Sequence, residues 1–161
     1  MFHPLEHPME RGWVGRIDGD HVAELAAQTL QAYFTGGGAA REHAVFPLAD
    51  VRLLAPVLHP PSVRIFDDEA TFSFANPAAI VGPGVEIPGA GGLLHQQEAV
   101  IGADGAIGGF TGFAEWRRSG QGPPKDRDFA LGLGPVVVTP DELDAAEVRV
   151  RVDGTVRLRG D

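Results

Sequence analysis

The chain has 161 residues, of which 43% are hydrophobic and 22% charged, a length and balance typical of one globular domain with a buried core. A formal net charge of −9 argues against a nucleic-acid partner, and the absence of cysteine excludes disulfides, thiolate metal sites and cysteine nucleophiles. No apolar run approaches the roughly 20 residues of a membrane helix. The N-terminal stretch is not a signal peptide, so we expect a cytoplasmic protein with no membrane partner.

Residues 1–50 are predicted to form a small strand-helix subdomain. Residues 13–22, WVGRIDGDHV, alternate apolar and polar residues around Asp18-Gly19, which predicts a strand that ends in a turn. We expect Asp20 to cap a helix from about His21 to Phe34, because apolar residues recur there at roughly helical spacing. The glycines at 36–38 should then end this helix.

Residues 51–161 are predicted to form a mainly β core. The proline-punctuated stretch from VFPLAD to PPSV favours edge strands and connectors. VRIF-DDEA-TFSFA predicts a hairpin, LLHQQEAVIG a central strand, and GGFTGFAEW a further strand. GPVVVTPDEL is predicted as a strand followed by a turn. Strict alternation on both sides of Asp153-Gly154 predicts a hairpin near the C-terminus.

An ordered set of motifs runs along this core: VRLLAPVLHPPSV, NPAAIVGPGVEIP, AVIG, GFTGFAEW and KDRDFALGLGPVVVTPDEL. Their order resembles that of the fumarylacetoacetate hydrolase family, from about Gly12 to the C-terminus, and the last motif is the most specific. The resemblance implies a mainly β (α+β) fold with a mixed β-roll core. It also implies a small-molecule substrate of the oxo-acid or 1,3-dicarbonyl type.

The same resemblance implies that metal binding is weakened. Alignment on VIG at 100–102 puts the two carboxylate positions of the family's metal-binding strand at Leu94 and Gln96, and neither is an acid. Glu98 follows on the same strand face. Because Mg²⁺ needs hard oxygen ligands, the resemblance implies either no cofactor or a weakly bound Mg²⁺ or Mn²⁺. The weak candidate ligands are Glu98 and Glu115.

Two residues occupy positions that the resemblance associates with catalysis. Glu115 falls at a family aspartate, and Lys125, the only lysine in the chain, falls at the family's active-site lysine. The resemblance implies Glu115 as general acid or base and Lys125 as the anchor of an anionic oxygen. A solvated loop lysine is the alternative for Lys125. The candidate substrate-binding residues are Gln96, Glu98, Trp116, Arg118 and Asp128.

Two segments of the family pattern have no counterpart here, namely the lid with its histidine and the C-terminal third. Without a histidine to activate water, we expect enolisation, decarboxylation, isomerisation or cyclisation, as in biosynthesis or secondary metabolism, rather than C–C hydrolysis. A metal-dependent C–C hydrolase and a non-catalytic protein that binds a ligand or supports a partner are the alternatives. A shortened β-roll would expose sheet edges and apolar faces, so we expect a homodimer or higher oligomer.

Overall fold

The computed structural model describes residues 1–66, 70–103, 105–127, 129–143, 149–152 and 155–159. Within these ranges it contains thirteen strands and one α-helix, α1 (Leu30–Thr35), so the predicted mainly β class is confirmed. The strands are β1 (Phe2–Pro4), β2 (Gly15–Asp18), β3 (His21–Leu25), β4 (Glu42–Pro47), β5 (Val51–Leu53), β6 (Val63–Phe66), β7 (Phe72–Ala75), β8 (Ile80–Val81), β9 (Ala90–Ala103), β10 (Ala106–Arg118), β11 (Ala130–Leu133), β12 (Arg149–Val152) and β13 (Thr155–Arg159). No helix in the described part of the chain is long and apolar enough to cross a membrane.

The N-terminal sheet has the order β2-β3-β4 and is antiparallel throughout. Its first strand turns at Gly19, which has a positive φ of 58°, so the predicted strand and turn are confirmed. The predicted helix from His21 is wrong, since residues 21–25 form β3. Strand pairing on both edges of β3 satisfies its backbone groups, and this tertiary pairing overrides a helical spacing of apolar residues.

The helix that does form is short and begins later than predicted. Thr29 caps α1, not Asp20, because the Thr29 hydroxyl oxygen accepts a hydrogen bond from the Ala32 N–H at 3.0 Å. Gly36 ends the helix, as expected from the glycines. The ring of Phe34 packs over Gly108 of β10, where a Cβ would come within 2.5 Å of the ring, so glycine permits this contact.

A hydrophobic cluster joins the first 50 residues to strand β5. Phe2, Val22 and Val51 are its buried members, and the Phe2 ring meets the rings of Trp13 and Phe46 edge-on at 5.9 and 5.7 Å. Strand β1 pairs with β5. The predicted division at residue 50 stays a prediction, although both the cluster and the β1–β5 pairing cross it.

The largest described sheet has the order β8-β11-β10-β9. Strand β10 is antiparallel to β9 and β11, and β8 is parallel to β11. The predicted strand LLHQQEAVIG lies within β9. The prediction that it is a central strand is wrong, because β9 is at the edge of this described sheet and β10 lies inside it. The two predicted hairpins form as β6–β7 and β12–β13, whose turn at 153–154 lies outside the described residues.

The segment GPVVV is not a regular strand, which corrects the prediction. Only Val138 forms a bridge, to Phe110 of β10, with two backbone hydrogen bonds of 2.8 Å. Instead of a second ladder, the Thr111 hydroxyl donates a hydrogen bond to the Val136 carbonyl at 2.6 Å. A side-chain hydrogen bond of this kind competes with strand pairing for the same backbone group.

The amino group of Met1 makes the stability of the fold depend on pH. Burial lowers the pKa of this group from 8.0 to about 6. Between these values the unfolded chain binds more protons than the folded chain, so stability should rise from pH 6 to pH 8, by at most about 3 kcal/mol. Urea unfolding of the free-amine and N-acetylated protein at several pH values measures this effect. Identical pH profiles for the two forms would contradict it.

Candidate functional site

A buried, doubly hydrogen-bonded ion pair centres on Glu115 of β10. Its side chain has 0% exposure, and in the register of the sheet it pairs with Leu131 of β11 and His95 of β9. The Arg127 guanidinium donates to both carboxylate oxygens, from Nε to Oε1 at 2.8 Å and from Nη2 to Oε2 at 3.3 Å. The Arg127 side chain is 28% exposed, so this pair runs from the interior towards the surface.

A second acid and arginine lie beside the first pair. Asp126 is 1% exposed, and its Oδ2 lies 3.4 Å from Nε of Arg117. Asp126 Oδ1 and Arg117 Nε have no hydrogen-bond partner among the described residues. The Arg118 N–H donates to the Asp126 carbonyl at 2.9 Å, which joins the turn at 123–127 to the end of β10. Asp126 and Arg127 are adjacent in one turn. They therefore lie against Arg117 and Glu115 of β10, respectively.

Strand alternation separates the candidates on β10. Glu115 and Arg117 are two residues apart and share one face, whereas Trp116 and Arg118 lie on the other. The half-buried Trp116 ring lies against Gly132 of β11, and the Arg118 guanidinium lies 4.8 Å above the Phe129 ring. The structure therefore does not bring Trp116 or Arg118 to the Glu115 carboxylate.

The backbone register of β9 also separates Gln96 and Glu98 from Glu115. Gln96 pairs with Ala114 and Glu98 with Gly112. Paired positions of antiparallel strands share a face, and a shift of one residue reverses the face. Both candidates thus occupy register positions on the face opposite to Glu115. Their role in substrate binding stays a prediction. Asp128, a further candidate, lies outside the described residues.

Lys125 lies in the turn at 123–127 and is exposed. Among the described residues it forms no ion pair with Glu115, whose carboxylate is held by Arg127 instead. The catalytic roles given to Glu115 and Lys125 stay predictions. Sequence reasoning missed the partners Arg117, Asp126 and Arg127. Two sequence patterns could have indicated these partners. Arg117 follows Glu115 by two residues on a strand, and Asp126 and Arg127 directly follow Lys125.

The described donor groups do not fit a divalent cation. No group of three or more His, Asp or Glu side chains in the described part of the chain converges in a way that could hold a metal ion. Mg²⁺ and Mn²⁺ require several hard oxygen ligands, and both oxygens of Glu115 are engaged by a guanidinium. Within the described ranges Asp126 Oδ1 has no hydrogen-bond partner, but it supplies only a single ligand, beside Arg117.

A cavity of about 400 Å³ lies at the start of β10, between α1 and the turn at 139–141. None of the described candidate residues lines it. The carboxylate that lines this cavity belongs to the exposed Asp141. The pKa of Asp141 is lowered by a hydrogen bond from the Thr139 side chain and by a backbone hydrogen bond. A buried polar group is typical of a functional site and not of a surface groove. We therefore place the candidate site at Glu115, near the other end of β10.

This arrangement of strands defines a fold with solved counterparts. The chain has the fold of maleylpyruvate hydrolase from Sphingobium sp. SYK-6, with a TM-score of 0.63 and 21% identity over 94% of this chain and 74% of that chain. The same hydrolase in complex with a manganese(II) ion and pyruvate matches with a TM-score of 0.62 and 19% identity over the same shares. This hydrolase is a fumarylacetoacetate hydrolase-family enzyme, so the fold predicted from the motifs is confirmed.

Sequence comparison adds a match at the N-terminal end. The family model described as Rv2993c-like, N-terminal, matches residues 10–56, which include β2 to β5. No curated protein matches this chain in sequence.

Loss of Arg127 should destabilise the fold more than loss of Glu115. Arg127→Gln leaves a fully buried carboxylate without its guanidinium and should destabilise the fold by roughly 3 kcal/mol. Glu115→Gln should cost less, because the Arg127 side chain is 28% exposed and water can reach it. Urea unfolding at pH 7 measures both variants.

Arg16→Gln is the matched control for these two variants. It breaks the exposed Arg16–Glu42 pair, whose atoms are 2.6 Å apart, and should cost less than about 1 kcal/mol. A loss for Arg127→Gln no larger than this control would show that the buried pair does not support the fold.

Proposed function

We propose that the protein is an enzyme for small oxo-acid or 1,3-dicarbonyl anions, and that it promotes enolisation, decarboxylation, isomerisation or cyclisation. The buried Glu115–Arg127 pair, with an exposed Lys125 two residues before Arg127 in the chain, is the observation that carries the proposal. Structural stability alone does not require a doubly hydrogen-bonded, fully desolvated acid at this position. Buried ionised groups cluster at functional sites because charge is strongest where water is excluded.

Local charge supports an anionic substrate. In a chain with net charge −9, residues 115–127 contain four cationic side chains and two acidic ones. Both acids, Glu115 and Asp126, are buried, whereas Lys125 and Arg118 are exposed. The surface of this segment is therefore positive within a negative protein, which favours approach of a small anion.

The proposed chemistry needs one proton acceptor and one anion-stabilising cation. When a proton leaves the carbon beside a carbonyl, negative charge develops on the carbonyl oxygen, and a nearby ammonium group stabilises it. Loss of carbon dioxide from a 3-oxo-acid produces the same enolate. We propose Lys125 for the cationic role and Glu115 for proton transfer, which requires the longer Arg127 contact, at 3.3 Å, to yield to the substrate.

A metal-dependent C–C hydrolase is the second candidate, favoured by the hydrolase activity named for the two structural neighbours. The mismatch between the described donor groups and a divalent cation argues for the first candidate. A non-catalytic ligand-binding protein or partner scaffold is the third. A cytoplasmic location and a biosynthetic setting stay predictions.

Proton exchange separates these candidates. We expect the protein to accelerate exchange of the C3 protons of pyruvate and oxaloacetate with deuterium, followed by ¹H NMR. Lys125→Met keeps an unbranched side chain of similar length but removes its charge, and should lower kcat/KM about 100-fold. Glu115→Gln should also lower it, whereas Arg16→Gln should not.

Other outcomes point to the other candidates. Loss of activity on addition of EDTA would favour the metal-dependent hydrolase. Saturable oxo-acid binding without exchange or decarboxylation would support the non-catalytic alternative. Unchanged kinetics in both Lys125→Met and Glu115→Gln would overturn the site.

We also propose a homo-oligomer. Hairpin β6–β7 carries Phe66, Phe72 and Phe74 with exposures of 50%, 42% and 71%, an apolar surface of the kind that subunit contacts cover. Sedimentation at micromolar concentration should show a dimer or larger species, and Phe74→Ser should weaken it. A monodisperse monomer would contradict the proposal.

A further inference from the structure

We propose that Arg117 binds the carboxylate group of the substrate and that the buried Asp126 positions it. Arg117 lies two residues after Glu115 on β10, and the sequence motifs gave it no role. The inference rests on the proposed function for the oxo-acid nature of the ligand, and it adds the residue that recognises the anionic end of that ligand. Binding of a carboxylate by Arg117 can be measured without turnover.

The donor groups of Arg117 are not used within the described part of the chain. Its Nε lies 3.4 Å from Oδ2 of Asp126, but it makes no hydrogen bond to this oxygen or to any other described atom. Arg127, in contrast, donates twice to Glu115, at 2.8 and 3.3 Å. Arg117 is therefore held by charge, while its N–H groups stay free to bind a ligand.

The outer end of Arg117 reaches solvent. Among the described residues, the buried side-chain atoms without a hydrogen-bond partner are Arg117 Nε and Asp126 Oδ1, and neither Nη nitrogen of Arg117 is one of them. Since both Nη nitrogens also lack a hydrogen-bond partner among the described residues, they must be accessible to solvent. The side chain as a whole is 41% exposed. The guanidinium thus has a buried inner edge and an open outer edge.

Asp126 gives the guanidinium this orientation. It is 1% exposed, and its backbone carbonyl accepts a hydrogen bond from the Arg118 N–H at 2.9 Å, which holds the turn against β10. Its carboxylate attracts the Nε edge of Arg117, so the two Nη groups face away from the interior. A buried acceptor without a hydrogen bond costs free energy, so a role in stability alone is a poor explanation for Oδ1.

A carboxylate is the ligand that fits the open edge of Arg117. A guanidinium is planar, and its parallel N–H groups pair with the two oxygens of a carboxylate. Arg117 and Glu115 share one face of β10, with Cα atoms roughly 6.6 Å apart, the distance for two residues of a strand. A small anion on Arg117 therefore lies beside the acid that we propose for proton transfer.

Oxamate tests the inference, because it has the shape and charge of pyruvate but no C3 proton to exchange. In ¹⁵N-labelled protein, the buried Nε–H of Arg117 should give a slowly exchanging NMR signal, which is assigned by its loss in Arg117→Lys. Oxamate should shift this signal saturably. The uncharged methyl ester of oxamate should not, because it lacks the carboxylate.

Variants measure the contribution of Arg117, with oxamate binding followed by the backbone amide signals of β10. Arg117→Gln should raise the dissociation constant of oxamate roughly 10- to 100-fold, because hydrogen bonds to a charged group are lost. Arg117→Lys keeps a cation beside Asp126, which protects the fold, but lacks the paired donors and should also bind oxamate more weakly. Circular dichroism checks that both variants fold.

Two other arginines provide the controls. Arg118→Gln removes the same charge from the opposite face of β10, and should weaken oxamate binding less than Arg117→Gln does. Arg16→Gln breaks an exposed pair on β2 and should leave oxamate binding unchanged.

Asp126→Asn separates positioning from charge. Removal of this negative charge by itself should tighten binding of an anion, whereas loss of its hold on Arg117 should weaken it. We expect weaker oxamate binding in Asp126→Asn. Equal or tighter binding would contradict the positioning role of Asp126.

Three results would overturn the inference: no saturable binding of oxamate, equal binding of oxamate and its methyl ester, or equal losses in Arg117→Gln and Arg118→Gln. Failure of the proposed function has a different signature. If oxamate binding depends on Arg117 but no oxo-acid undergoes exchange or decarboxylation, the enzymatic proposal fails and the carboxylate-binding role stands. If exchange proceeds with unchanged kinetics in Arg117→Gln, the enzyme stands and the role given to Arg117 is wrong.

Discussion

Glu115 has no exposure to solvent, and two hydrogen bonds from the Arg127 guanidinium compensate its charge in the interior. A buried carboxylate without such a partner is strongly destabilising, so this pairing constrains everything near it. It determines where the turn at 123–127 must lie, because Arg127 has to reach β10. It also engages both carboxylate oxygens, which limits what else can bind there.

The same constraint links fold to proposed chemistry. Strand β10 is the inner strand next to β9 and β11, so the backbone at Glu115 is held from both sides. The turn that brings Arg127 also exposes Lys125 and buries Asp126. Positive charge is thereby concentrated on the surface of one short segment of an acidic protein. A small anion is the ligand class that we propose for such a segment.

Local signals predicted several elements correctly. The turn at Gly19, the hairpin β6–β7 and the hairpin β12–β13 follow from alternation and turn residues that act over a few positions. The helix predicted over 21–34 failed because pairing of residues 21–25 with β2 and β4 overrode the three-residue apolar spacing of Val22 and Leu25, and a register shift between Ala23 and Leu25 interrupts regular alternation there. The strand predicted at valines 136–138 did not form for a similar reason, since a bridge and one side-chain hydrogen bond replace a ladder there.

For the candidate site, the sequence by itself determined the residue types: a single lysine, an acid at Glu115 and the KDRD block, all within motifs that carry the family resemblance. Motif order also determined the class of fold. Only the tertiary structure decided the partners. Gln96 and Glu98 have register positions on the face opposite to Glu115, and the cation that meets this acid is Arg127 rather than Lys125. Strand register and the path of a turn are set by long-range pairing and burial, and a one-residue difference in either changes which side chains meet.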